Sequence, residues 1–100
     1  MKTTKIFKYK LDITDVNRIA LPEDHVILKF AEQDGNLCMW CEVDPNSIAK
    51  TITFEIFGTG HGIEYNVEKE GVKCCLDIRC YLDSVVMRNG LVWHIYKRGV

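Results

Sequence analysis

Apolar and polar residues alternate along most of this chain. In Phe7-Lys8-Tyr9-Lys10-Leu11-Asp12-Ile13 every apolar side chain falls on one face and every charge on the other, the period of a half-buried strand. Residues 17–21 offer a short strand with Ile19 and Leu21 inward, closed by Pro22, which has no N–H to give a ladder. Residues 25–33 form a third run with Val26, Leu28 and Phe30 in phase. Asp34-Gly35 then sits between two apolar runs, the signal for a tight primed hairpin turn, and residues 36–43 form the returning strand. Asp44-Pro45-Asn46 breaks it. Residues 50–57 make a fifth strand, with Ile52, Phe54 and Ile56 on one face.

Further along, residues 73–82 alternate Cys74, Leu76, Ile78, Cys80 and Leu82 against Lys73, Cys75, Asp77, Arg79 and Tyr81. Residues 83–87 either continue that strand through a bulge or form a loop. Asn89-Gly90 marks a second tight turn, and residues 91–96 are the last strand, with Leu91, Trp93 and Ile95 in phase. Segments 46–49 and 64–69 are the places for a short helix, but neither has the periodicity to support one. Six to seven short strands with turn signals between them predict an all-β fold, a small antiparallel sandwich or barrel.

Alternation also defines an outward set on each strand: Trp40 and Glu42; Thr51, Thr53, Glu55 and Phe57; Asp77, Arg79 and Tyr81; His94 and Tyr96. An outer face holding Trp40, Phe57, Tyr81 and Tyr96 is more aromatic than plain solvation requires. One strand is out of phase with this assignment, the sandwich covers both faces, or the face is an interface, where aromatics are enriched. The interface reading predicts a closed homo-oligomer.

Composition narrows the function classes. The chain has 100 residues, the size of one domain spanning 1–100. Thirteen basic residues against fourteen acidic ones leave a formal charge of −1 and a pI near 6.3. That balance argues against general nucleic-acid binding and against membrane-surface binding. Lys2, Lys5, Lys8 and Lys10, or Lys97 and Arg98, could form a local patch, though edge strands carry lysine simply to avoid pairing. No apolar run is long enough to span a membrane and no signal peptide is visible, which predicts a cytoplasmic protein. Five cysteines, an odd number, then read as reduced thiols.

Few residues carry chemistry. Cys38-Met39-Trp40-Cys41 matches C-x-x-C, but inside a strand that offset puts the sulfurs on opposite faces, ~10 Å apart along the strand. A disulfide or a tetrahedral zinc site needs them together, so buried thiols and no metal are expected. His61 with Glu64 is one acid–base pairing. No serine or cysteine stands in a nucleophile elbow, and Gly58-Thr59-Gly60 lacks the Gly-Lys-Ser/Thr of a phosphate-binding P-loop and the third glycine and βαβ setting of a dinucleotide site. With one role nominated and none converging on it, no catalytic residue and no cofactor are assigned. The feature that does stand out is Phe57-Gly58-Thr59-Gly60-His61-Gly62, three glycines within five residues directly after a strand. Such a loop brings backbone N–H groups close to a ligand or a second chain.

On these residues the chain resembles a family of small, uncharacterised proteins encoded by phages and prophages. The resemblance rests on Ile6-Phe7-Lys8-Tyr9, Leu37-Cys38-Met39-Trp40, Val43-Asp44-Pro45, the stretch Phe54-Glu55-Ile56-Phe57-Gly58-Thr59-Gly60-His61, and the closing Leu91-Val92-Trp93-His94-Ile95-Tyr96. The chain departs from that pattern between Glu64 and Arg88, where it is longer and richer in cysteine. The resemblance implies a small accessory phage protein in a bacterial cytoplasm. The expected function is then non-enzymatic: countering host defence by sequestering a nucleotide immune signal. Its phosphates would lie on Gly58, Thr59, Gly60, His61 and Gly62, and its base would stack on Trp40, Tyr81 or Trp93. Trp93 serves only if the pocket enters the core, because its phase is inward. Two alternatives are an inhibitor that docks on a host defence protein and a structural or morphogenetic phage component.

Overall fold

The computed structural model describes residues 1–64 and 79–99. The regular secondary structure of these residues is entirely β, in seven strands: β1 (Lys5–Leu11), β2 (Val16–Pro22), β3 (His25–Gln33), β4 (Asn36–Val43), β5 (Ala49–Gly58), β6 (Arg79–Val86) and β7 (Val92–Arg98). They form two antiparallel sheets, β1-β4-β3 and β2-β5-β7-β6. The alternation predicts a small antiparallel sandwich or barrel, and the two stacked sheets make it the sandwich. The expected strand over residues 73–82 and the helix option at 64–69 fall mostly outside the described residues.

One core fills the space between the sheets. Leu11, Phe30, Leu37, Met39, Cys41 and Val43 from the first sheet meet Leu21, Ile52, Phe54, Ile56, Val85 and Ile95 from the second. Phe30 and Phe54 touch edge to face across the two layers, with centroids 6.3 Å apart, the geometry the ring quadrupoles favour. Polar groups pin the rims. Buried Asn17 accepts from the Asp12 N–H at 2.8 Å and donates to the Asp12 carbonyl at 2.9 Å, which fixes the β1–β2 connection. Glu32 on β3 accepts from the Arg88 backbone N–H at 2.8 Å and from its Nε at 2.9 Å, tying the first sheet to the β6–β7 turn. The Arg88 N–H, more than its charge, holds the Glu32 carboxyl below its usual range.

The turns follow their sequence signals. Asp34 and Gly35 both take positive φ, 52° and 82°, the two central positions of a type I′ hairpin. Gly90, at φ 90°, closes the β6–β7 hairpin, where the Gly90 N–H donates to Met87 O and the Met87 N–H to Leu91 O. Segment 46–49 is not a helix: Asp44 accepts from the Asn46 N–H through Oδ1 and from the Ser47 N–H through its carbonyl, making a side-chain-braced turn into β5.

Two bulges correct the phases read from the sequence. The register shifts between Ile27 and Lys29, so Leu28 is an extra residue and the strand changes face there. Ile27 packs against the core, while Val26 and Leu28 are 60% and 47% exposed. The second shift lies between Tyr81 and Asp83, so residues 83–86 do continue the strand through a bulge. Leu91, expected inward, is exposed because it belongs to the turn and not to the ladder.

Candidate functional site

The 58–62 loop leaves the end of β5, beside the start of β7, with Gly58 paired to Trp93. The His61 N–H donates to Gly58 O at 3.1 Å, and Gly60 has φ +89°. A positive φ at the third residue alone is the mark of a type II turn, which glycine fills at no steric cost. Gly58 answers a different need: a Cβ there would stand 2.9 Å from His61 Cε1, 3.0 Å from Nδ1 and 3.1 Å from Trp93 Cζ3. The Gly58 N–H donates to His61 Nδ1 at 3.3 Å. That contact makes Nδ1 the acceptor and leaves the neutral ring's proton on Nε2.

This turn and Trp93 enclose an open cleft of about 330 Å³, floored by Leu91 and Val92. A smaller pocket of about 180 Å³ shares His61 and Trp93 as its wall and reaches Ile13, Thr14 and Asp15. The inward phase of Trp93 therefore does not remove it from the surface: its indole packs against the core and also lines both pockets. Two of the loop's N–H groups, those of Gly58 and His61, are used inside the turn. Thr59, Gly60 and Gly62 carry the loop's other N–H groups; of these residues Thr59 lines this cleft, and Gly62 lines a separate pocket with Glu55, Phe57 and Arg79.

Behind the cleft runs a chain of hydroxyls and one imidazole. Thr59 Oγ1 lies 2.8 Å from His94 Nε2, Ser84 Oγ lies 2.7 Å from His94 Nδ1, and Tyr81 OH lies 2.6 Å from Ser84 Oγ. A neutral imidazole donates from one nitrogen and accepts at the other, so one of Thr59 and Ser84 donates to the ring while the other accepts. This chain gives the loop a fixed path to Tyr81.

Below it, Glu55 is buried between two arginines. Arg79 Nε donates at 2.8 Å and Arg98 Nη2 at 3.0 Å to opposite oxygens of the carboxylate. Burial alone pushes that carboxyl up, but the hydrogen bonds and charges of the two arginines outweigh it and leave the group below its ordinary value. Arg79 also donates to the Glu64 carbonyl and sits over the Phe57 ring, 5.6 Å from its centroid. His61 and Glu64 line one neighbouring pocket, but the imidazole is engaged by the Gly58 N–H.

The residues singled out in the sequence are thus divided. Gly58, Thr59, Gly60, His61 and Trp93 come together, Gly62 follows directly, and Tyr81 joins through Ser84 and His94. Trp40 does not. It lies on β4, on the outer side of the other sheet. Phe57, Tyr96 and Tyr81 do form one outer cluster, packed edge to face at 5.6 and 5.4 Å. Cys38 and Cys41 are buried free thiols on opposite faces of β4, and burial raises Cys41 to about 11. Cys74 and Cys75 lie outside the described residues. Sequence reasoning placed Glu55, Arg79 and His94 on outward faces but missed their pairing with Arg98, Thr59 and Ser84, which depends on cross-strand register.

A family model described as a domain of unknown function (DUF7352) matches residues 2–100. No curated protein and no solved structure matches the chain.

Proposed function

Since the chain belongs to the DUF7352 family, we propose on the geometry that it is a non-enzymatic binding protein holding a small phosphate-bearing nucleotide between the 58–62 loop and Trp93. The carrying observation is the type II turn set beside an indole: Thr59 and His61 line the cleft with polar groups, His61 carrying Nε2–H, while Trp93, Leu91 and Val92 form its apolar wall. Backbone donors bind an anion without a cationic protein, which suits a net charge of −1. The volume of about 330 Å³ is at the lower end of small-ligand sites. The resemblance to small phage and prophage proteins supplies the setting, sequestration of a nucleotide immune signal in the bacterial cytoplasm. Exposed Val86 and Leu91, close to the same turn, favour a second reading, an inhibitor docking this rim on a host defence protein. Self-association belongs to the proposal too, since among the described residues β1 and β3, like β2 and β6, are sheet edges.

The test is to incubate the protein with a panel of cyclic oligonucleotides and ADP-ribose-type compounds, wash, heat-denature and analyse what is released. Retention and unaltered return of one member, lost in Gly60→Ala and His61→Ala, is the expected result. An altered product would make the protein an enzyme. Retention of no member would leave the docking inhibitor as the better reading.

A further inference from the structure

Trp40 has no part in the cleft, and the company it keeps points to a separate surface. The register places Lys8 of β1 and Lys29 of β3 directly opposite Trp40, one on each neighbouring strand. Direct cross-strand partners share a face with Cβ atoms ~5 Å apart, so the half-buried indole is flanked by a lysine on either side. Lys10 follows Lys8 on the same face, opposite Cys38. Lys8 Nζ donates to Gln33 Oε1 at 2.7 Å, from one edge strand to the other, so its stem crosses β4 on this side. Cys38 beneath is only 3% exposed although it faces outward. The acid on this face is Glu42, one pair along, and Thr4 Oγ1 donates to it at 2.7 Å.

Edge protection explains lysines on β1 and β3. It does not explain a tryptophan at the centre of a sheet face, where solvation alone favours small or charged side chains. A ring with a π-face, set among three cations on a regular lattice, is the pairing that holds single-stranded nucleic acid: bases stack on the ring and ammonium groups take phosphates. We infer that the outer face of the β1-β4-β3 sheet binds single-stranded nucleic acid, weakly and without sequence preference, with Trp40 as the stacking platform and Lys8, Lys10 and Lys29 as the phosphate contacts. Net charge argues only against a generally basic protein; among the described residues the local face carries three lysines against one glutamate.

The experiment is fluorescence anisotropy with a labelled oligothymidylate of about 12 nucleotides, followed in parallel by quenching of tryptophan emission. The expected result is saturable binding whose log affinity falls with log salt at a slope of about −2, the value for three phosphate contacts on a single strand. Trp40→Ala should weaken it about 5- to 150-fold, Trp40→Phe less, and Lys8→Glu with Lys29→Glu should abolish it. Circular dichroism and melting curves confirm folding of each variant, and the lysine pair keeps the test alive if Trp40→Ala unfolds. Cys80→Ser, at an exposed position on β6 of the other sheet, should bind as wild type. Absence of saturable binding at about 50 mM salt overturns the inference. So does binding indifferent to both Trp40 and the lysines, or an acidic peptide held as tightly as the oligonucleotide.

Discussion

Alanine at each loop glycine separates two reasons for needing glycine. Gly60 has φ +89° and open space where a Cβ would go, so Gly60→Ala carries a backbone penalty alone, about 1–2 kcal/mol for a left-handed L-residue. Gly58 has an ordinary φ, but its Cβ would fall 2.9 Å from His61 Cε1 and 3.1 Å from Trp93 Cζ3. The exposed His61 ring can swing away, but only by giving up the Gly58 N–H bond to its Nδ1. Trp93 is packed on the core and can yield only by a few tenths of an ångström. Overpacking costs about 1–3 kcal/mol, and reduced freedom of the unfolded chain returns about 0.4–1. The net for Gly58→Ala is then about 1.3 kcal/mol at the middle of both ranges. Gly62 has no positive φ, and its Cβ would meet open space among the described residues, so Gly62→Ala should be neutral or stabilising by up to about 1 kcal/mol. Urea unfolding reads the three differences, and each kcal/mol moves Tm by about 4–8 °C in a domain this small. His61→Ala distinguishes the causes further. It removes two of the three close atoms at Gly58, so Gly58→Ala should cost about 0.5–1 kcal/mol less in that background, while the cost at Gly60 should not change. Gly58→Ala as stable as wild type, or equally costly with and without His61, would refute the close-approach reasoning.

Glu55→Gln should destabilise by about 1–3 kcal/mol, because it leaves the largely buried Arg79 and the half-exposed Arg98 with a weaker acceptor. The pH dependence has a definite sign. A carboxyl held below its ordinary value contributes fully above the unfolded-state pKa and loses that contribution as pH falls through the lower folded value; unfolding curves at a series of acidic pH values should be steeper for wild type than for Glu55→Gln, and parallel curves would be inconsistent with the ion-pair account. Under native conditions a maleimide probe should modify exposed Cys80 well before buried Cys38 and Cys41, the last also slowed by a thiol raised to about 11. Peptide mass spectrometry reads the order, and early labelling of Cys41 would contradict the β4 packing.

The strands and turns were legible wherever the alternation was clean. Leu37, Met39, Cys41 and Val43 on β4, and Ile52, Phe54 and Ile56 on β5, face the core as their spacing predicts. Asp34-Gly35 makes its primed turn because few other residue pairs tolerate two positive φ values. The phase errors within the strands share one physical cause, whereas Leu91 is exposed because it belongs to a turn. A bulge inserts a residue without changing composition, so Leu28 and Leu82 look like ordinary strand residues while each resets the phase. Val26 therefore reads as inward from the sequence although it is 60% exposed.

Phase also limits what a sequence can say about a site. Alternation assigns each side chain to one side of its own strand, but it does not say which sheet the strand joins. Trp40, Phe57, Tyr81 and Tyr96 were all outward in phase, and all four are off the core face. They form two surfaces because β4 belongs to one sheet and β5, β6 and β7 to the other. The division has a chemical consequence. The Phe57–Tyr96–Tyr81 cluster is satisfied largely by itself and by Arg79, so its aromatic content calls for no partner. Trp40 has lysines where those rings have each other, and that difference makes it the outward aromatic whose surroundings ask for an anionic, stackable ligand. A double variant losing both Trp40 and His61 should therefore show the sum of two independent binding defects, since Trp40 on β4 of one sheet and His61 in the loop that follows β5 of the other share no partner through which to couple.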